Sequence, residues 1–177
     1  VSDAGMPSIC DPGEELVYQS KINQIDVICI PGPCAVTTAL VSSGFPSSRF
    51  IFEGFLPKKK TEREKIIYEI GEREQTTVLF ESPHRLVKLL KEIKECIGGD
   101  REIEVSRELT KKFEEHIYKD IDAALDLFEG KEVIGEITVV IKGIDKRNYS
   151  PELNKFVLKR ELNDLINTGI SLSSASK

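Results

Sequence analysis

Two turns punctuated by glycine and proline constrain this chain more than any other feature. The first, SDAGMPSICDPG, occupies residues 2–13, and the second, PGPCA, occupies 31–35. Between them, residues 25–30 form a nearly continuous apolar, β-branched run, which reads as a strand covered on both faces. A Gly/Pro turn at the end of such a strand is where open α/β sheets receive small ligands. Asp11 can cap a helix with Pro12 at its first position, continuing to about Asn23. A small-residue helix through Ala35, Ala39 and Leu40 follows the second turn and stops at Gly44-Phe45-Pro46. The order strand, loop, helix, strand, loop, helix describes part of a parallel, doubly wound sheet. Since the chain opens on Val1 in what reads as the last residues of a strand, the expectation is a fragment whose upstream part is missing.

Composition narrows the class. A chain of 177 residues, 40% of them hydrophobic, can bury a real core, and no apolar run is long enough to span a bilayer. A net charge of −5 disfavours a protein that grips nucleic acid over its whole surface, so any RNA contact has to be focal. Cys10, Cys29, Cys34 and Cys96 form no CxxC pair, as expected of reduced thiols in a cytoplasmic protein. His84 and His116 complete no zinc-ligand spacing, so no metal is expected.

Residues 46–57 change character, with two prolines bracketing an aromatic segment before a lysine run begins. The division expected is residues 1–48 as part of a first α/β domain, 49–57 as a linker, 58–147 as a second α/β domain with a mixed sheet, and 148–177 as a helical extension. Within the second domain the pattern predicts helix 61–72, strand 76–81 and a helix capped at Ser82-Pro83 that ends near Ile97. Strands 103–106 and 113–118, helix 120–128 and a buried strand at 136–142 follow, and a helix from Ser150 carries Leu153, Phe156, Val157 and Leu162 at helical spacing.

Each motif has an ordinary reading beside its chemical one. Ser2, Asp3, Ala4 and Gly5 can form a tight loop whose Asp caps its own backbone, or a wall that lets a ligand approach closely. Pro31 and Pro33 fix two φ angles around Gly32 and make a rigid loop, useful for presenting one atom in line for attack. Glu81-Ser82-Pro83-His84-Arg85 is either a helix start with a solvated first turn or the polar wall of a site in which Arg85 meets phosphate. Arg107, Glu108, Leu109 and Thr110 follow another strand and read either as a charged loop or as a further wall. Lys58, Lys59 and Lys60 with Arg63 are the best placed residues for RNA backbone contact, though such runs usually only solvate a helix start.

Taken in order, SDAGMPSICDPG, PGPCA, GFPSSRFIFEGFLPKK, FESPHR, RELTKKFEE and GEITVVIKG resemble the ribosomal small-subunit RNA (cytidine-2'-O)-methyltransferases of the tetrapyrrole methylase superfamily. The resemblance is strong from Val1 to about Gly143. It implies a two-domain α/β fold with S-adenosylmethionine in the cleft, the ribose 2'-hydroxyl of a cytidine in small-subunit ribosomal RNA as acceptor, and a homodimer. Carried over by position, Ser2, Asp3, Ala4, Gly5 and Pro7 resemble one cofactor wall, and Pro31, Cys34, Ala35 and Val36 the loop beneath the methionine moiety. Glu81, Ser82, Pro83, Arg107, Glu108, Leu109, Thr110 and Gly143 resemble the opposite wall. Met6 stands where the family commonly has Thr, which removes a hydroxyl.

Methyl transfer from a sulfonium is a direct displacement that needs alignment and no metal. A base can assist the weakly acidic hydroxyl, and Glu81, His84 and Glu108 are the candidates. A tetrapyrrole methyltransferase of the same fold and a non-catalytic binding domain stand as alternatives, because fold alone does not set a substrate.

Overall fold

The computed structural model describes residues 5–145; Val1, Ser2, Asp3 and Ala4, and the helix expected from Ser150, lie outside the described residues. Helix α1 spans Glu14–Ile22 and α2 spans Ala35–Ser43. There follow β1 (Phe50–Phe55), α3 (Lys60–Glu72), β2 (Thr76–Glu81), α4 (Leu86–Ile97), β3 (Glu102–Arg107), β4 (Glu115–Asp120), α5 (Ile121–Phe128) and β5 (Ile137–Ile141). The five strands form one sheet in the order β1-β2-β5-β3-β4. The β1/β2 pair is parallel, joined by the α3 crossover, and the other pairs are antiparallel.

Period-two alternation assigns the two faces. Leu79, Ile103, Val105, Ile137, Val139 and Ile141 point to a core shared with α3, α4 and α5, where Ile67, Leu86, Leu90, Ile93 and Ile121 are fully buried. Val78 and Val140 point the other way and meet Val36, Ala39 and Leu40 of α2. The central strand β5 is buried at every position because helices cover both faces. Helix α2 is also tied down by Ser42, which donates to the buried Glu104 carboxylate at 2.8 Å, and just beyond its end Phe45 rests on the Tyr118 ring.

Several expectations are corrected. Residues 25–30 form no strand, and Ile28 and Ile30 are 86% and 81% exposed. Their β-branched composition favours a pleated surface, but a strand is held by ladder partners, and none of the described strands pairs with this segment. Helix α1 starts at Glu14 after Gly13, not at Asp11 and Pro12, and has no side-chain cap. Of the expected linker 49–57, residues Phe50–Phe55 are the edge strand β1, bonded to β2 through a register shift between Phe52 and Gly54. The junction after β2 is a single 3-10 turn, Pro83–Arg85, before α4 begins, and the Ser82 hydroxyl makes no cap bond. Strand β4 begins two residues later than its apolar pattern suggests, at Glu115.

Asp120 does cap its helix, accepting from the Ala123 backbone N–H at 2.7 Å. Asp120→Ala is therefore expected to lower stability by about 1 kcal/mol, read from urea unfolding, with Asp120→Asn close to wild type. Equal losses in the two variants would show that the side chain acts otherwise.

Candidate functional site

The parallel pair β1/β2 fixes one end of the sheet as the place where most of the motifs meet. Both strands run toward it, finishing at Phe55 and Glu81, and antiparallel β5 starts there while β3 ends there, with Arg107 opposite Ile137. Helix α2 lies antiparallel to β2, since Thr76 at the far end donates its hydroxyl to the Pro46 carbonyl beyond the helix C-terminus. The α2 N-terminus, with Cys34 and Ala35, is thereby brought to the same end as Phe80.

The two Gly/Pro turns touch directly. The Met6 backbone N–H donates to the Pro33 carbonyl at 2.8 Å. A Cβ on Gly5, whose φ is +72°, would stand 2.5 Å from that same oxygen, so the approach requires glycine. Farther along the first turn, Cys10 reaches the β1 bulge, where a Cβ on Gly54 would lie 3.1 Å from its Sγ. Beneath the turns, Cys34, Phe52, Phe80 and Leu109 close the end of the smaller core, with Phe52 and Phe80 edge to face at 5.0 Å. Residues from four separate motifs therefore share one apolar floor. Pro7 is exposed beside them, and Val36 is buried in the smaller core.

The expected polar walls divide. Glu81 alternates with Leu79 toward α3 and α4, and its carboxylate accepts from the Ser82 backbone N–H at 2.8 Å and pairs with Arg85 at 3.2 Å. Burial pushes this carboxyl above its usual range, and those two partners only partly oppose the shift. Pro83 leads the 3-10 turn, and His84 stands exposed on it, with no hydrogen bond or ion pair among the described residues. Glu108 holds backbone: it accepts from the Glu136 N–H at 2.9 Å and from Lys111 at 3.0 Å, and those contacts hold its carboxyl below the usual range. Glu108 and Thr110 both have left-handed φ angles, +51° and +65°. Such conformations persist only when their surroundings over-determine them. Here Arg107 bonds to the Ile134 carbonyl and Glu115, and the Thr110 N–H donates to Glu114 at 2.6 Å.

Gly143 does not join the other motifs. Because β5 runs antiparallel to β2, it lies at the opposite end of the sheet from Glu81, packed so tightly on the Glu74 carbonyl that a side chain has no room. Arg63 is also corrected as an RNA contact. It is 4% exposed, chelates Glu92 with two bonds of 2.6 Å, and donates to the carbonyls of Pro57 and Lys58. Lys58, Lys59 and Lys60 remain exposed at the site end.

Sequence reasoning missed the group that supports the RELT loop from the sheet. His116 lies between Glu114 at 2.8 Å and Glu104 at 3.0 Å, and those carboxylates raise its pKa, Glu114 contributing most. A raised imidazole stabilises the fold fully below its ordinary value of about 6.5, and that stability is lost as pH rises through the higher folded value. His116→Gln should therefore flatten the fall in stability as pH rises above about 6.5, measured by urea unfolding. An unchanged slope in the variant would sink this assignment.

The sequence profile of the tetrapyrrole (corrin/porphyrin) methylases matches residues 1–124. The chain belongs to the tetrapyrrole methylase family. Among its relatives, the ribosomal RNA small subunit methyltransferase I of Thermotoga maritima is 47% identical over 143 residues, covering 81% of this chain and 64% of its own. The protein of the same name from Synechocystis is 38% identical over all of this chain and 63% of its own. The chain thus spans somewhat less than two thirds of the length of these relatives. In structure, this chain is similar to the methyltransferase CobJ, with a TM-score of 0.56 at 16% identity over 83% of this chain and 65% of that one. It is similar also to the cobalt precorrin-4 methyltransferase CbiF, with a TM-score of 0.58 at 16% identity over 78% of this chain and 61% of that one. At such identity the likeness speaks for the fold alone. No helix among the described residues is long and apolar enough to cross a membrane.

Proposed function

We propose that the protein is a cytoplasmic S-adenosylmethionine-dependent methyltransferase, acting as a homodimer on the ribose 2'-hydroxyl of a cytidine in small-subunit ribosomal RNA. The observation that carries the reading is the contact between the two Gly/Pro turns at the sheet end where FEGFLP, FESPHR and RELT also meet. Relatives named as ribosomal RNA small subunit methyltransferases, alike over most of this chain, support the acceptor class.

The residues at this end suit an adenosyl sulfonium. Phe55 and Ile30 offer exposed apolar surface, and nothing lies within 4 Å of where a Cβ on Gly32 would be, so the backbone between the two prolines is open to a ligand. When bound, S-adenosylmethionine supplies a methyl group on a positively charged sulfur. The protein's part is alignment: Pro31 and Pro33 stiffen one loop, and the Met6 to Pro33 hydrogen bond fixes the other against it. Ser2, Asp3 and Ala4, outside the described residues, are proposed cofactor contacts on the resemblance alone. Glu81 and Glu108 are engaged in holding backbone, so the base, if the hydroxyl needs one, is His84.

The test incubates the protein and labelled S-adenosylmethionine with small ribosomal subunits lacking the modification, then maps the label. Label on a cytidine ribose is expected. Label on a base, or transfer to a tetrapyrrole instead, would overturn the reading. Under the same reading, His84→Ala should lower turnover roughly 10²-fold with cofactor affinity intact, and wild-type turnover would remove His84 from the chemistry.

A further inference from the structure

Building on the proposed RNA acceptor, we infer that Lys88 of α4 joins Lys58 and Lys60 of the β1–α3 junction in one phosphate-binding track, kept free by the buried pairing of Arg63 with Glu92.

The two helices that follow the parallel strands start side by side at the site end of the sheet, α3 after β1 and α4 after β2. Glu92 lies between them. Lys60 stands one turn before Arg63 on α3 and Lys88 one turn before Glu92 on α4, so the Arg63–Glu92 bonds bring the two lysine positions together, each within electrostatic reach of the Glu92 carboxylate. Left unpaired, Glu92 would draw both lysines to itself and cancel their charge. Arg63 prevents this by taking both carboxylate oxygens at 2.6 Å. The guanidinium also holds the Pro57 and Lys58 carbonyls at 3.0 and 2.9 Å, which fixes the lysine segment to α4 through Glu92.

The other helical lysines differ. Lys91 and Lys94, one and two turns beyond Lys88, pair with Glu129 at 2.6 Å and Asp122 at 2.7 Å. Lys88 and Lys58 have no ion pair among the described residues. Lys60 meets Glu64 only at 3.5 Å with its own side chain 69% exposed, while Lys59 bonds to Glu62 at 2.8 Å in a pair exposed on both sides. Exposed pairs of this kind yield readily to a stronger anion. Arg85, 30% exposed in the turn just before α4, pairs with Glu81 at 3.2 Å.

A lysine that neutralises a phosphate releases condensed counterions, so its contribution appears in the salt dependence of binding. The experiment measures binding of the full protein to a labelled RNA oligonucleotide spanning the methylated segment, over a series of salt concentrations. Lys88→Ala and Lys60→Ala should each reduce the slope of log affinity against log salt by roughly 0.7 to 0.9, with S-adenosylmethionine affinity and thermal midpoint unchanged. Lys94→Ala, remote and paired with Asp122, should leave the slope alone. If Lys88→Ala binds with the wild-type slope, or Lys94→Ala lowers it as much, the track is overturned while the RNA reading stands. Failure of the wild-type protein to bind or methylate RNA would instead overturn the reading beneath it.

Discussion

Gly5→Ala is expected to lower methyl transfer about a hundredfold while leaving the fold in place. Gly5 is exposed and takes φ +72°, so the substitution disturbs neither buried core. Its new methyl group must nevertheless occupy space 2.5 Å from the Pro33 carbonyl oxygen, in a backbone conformation that alanine disfavours. The loops therefore separate, or the 2.8 Å bond from the Met6 N–H to Pro33 breaks. Either movement displaces the surface on which donor and acceptor are aligned, and a misplacement of about 1 Å at a reacting centre costs on the order of 10²-fold in rate. Kinetics with S-adenosylmethionine and small subunits, alongside a thermal melt, make the measurement. Gly32→Ala is the companion variant, since its methyl group meets no protein atom within 4 Å. It should melt as wild type and lose affinity for the cofactor. A Gly5→Ala protein with wild-type kinetics would show that the contact between the turns is incidental to catalysis.

The sequence carried the second half of the fold well because its periods are unambiguous. Residues 76–81 and 136–142 are apolar runs closed by Pro or Gly, and they became the buried neighbours β2 and β5. Residues 25–30 carry an equally strong β signal and form no strand, because composition reports what a segment can pack against and not whether a neighbour is present. At the site, short motifs located the loops, since turn residues act locally. What they could not show is direction. Glu81 read as a polar residue of a ligand wall and Arg63 as an RNA contact, yet alternation along β2 turns Glu81 toward the helices, and helical phase carries Arg63 inward to Glu92. Gly143 was misplaced for a related reason: only the antiparallel pairing of β5 with β2 reveals which end of the sheet follows the strand. The His116 group joins residues from two strands and a loop, and no spacing in the sequence announces it.

Removing one member of the buried Arg63–Glu92 pair should cost the fold far more stability than losing the Asp120 cap. Arg63→Met leaves a carboxylate buried on α4 without its two charged donors, and breaking such a pair from one side costs about 3 to 5 kcal/mol. That is a large share of the roughly 5 to 15 kcal/mol by which domains are stable, so the variant should sit near its unfolding threshold at physiological temperature. Glu92→Leu should cost a similar amount, by stranding the guanidinium. The double variant Arg63→Met/Glu92→Leu is the decisive one, because it removes both desolvated charges and fills the space with apolar atoms. It should regain most of the loss, giving a coupling energy comparable with either single effect. The pH dependence supplies an independent check on the cause. Arg63 holds the Glu92 carboxyl below its usual range, chiefly through their hydrogen bonds, so the wild-type pair stabilises the fold above the unfolded value of about 4.3 and loses that contribution as pH falls through the lower folded value. In Arg63→Met the same carboxyl is buried without compensation and its pKa should rise, so acidification from neutral pH should stabilise the variant relative to wild type. Equal acid sensitivity in the two proteins, or a double variant no more stable than either single one, would mean that the pair is not the electrostatic lock its geometry describes.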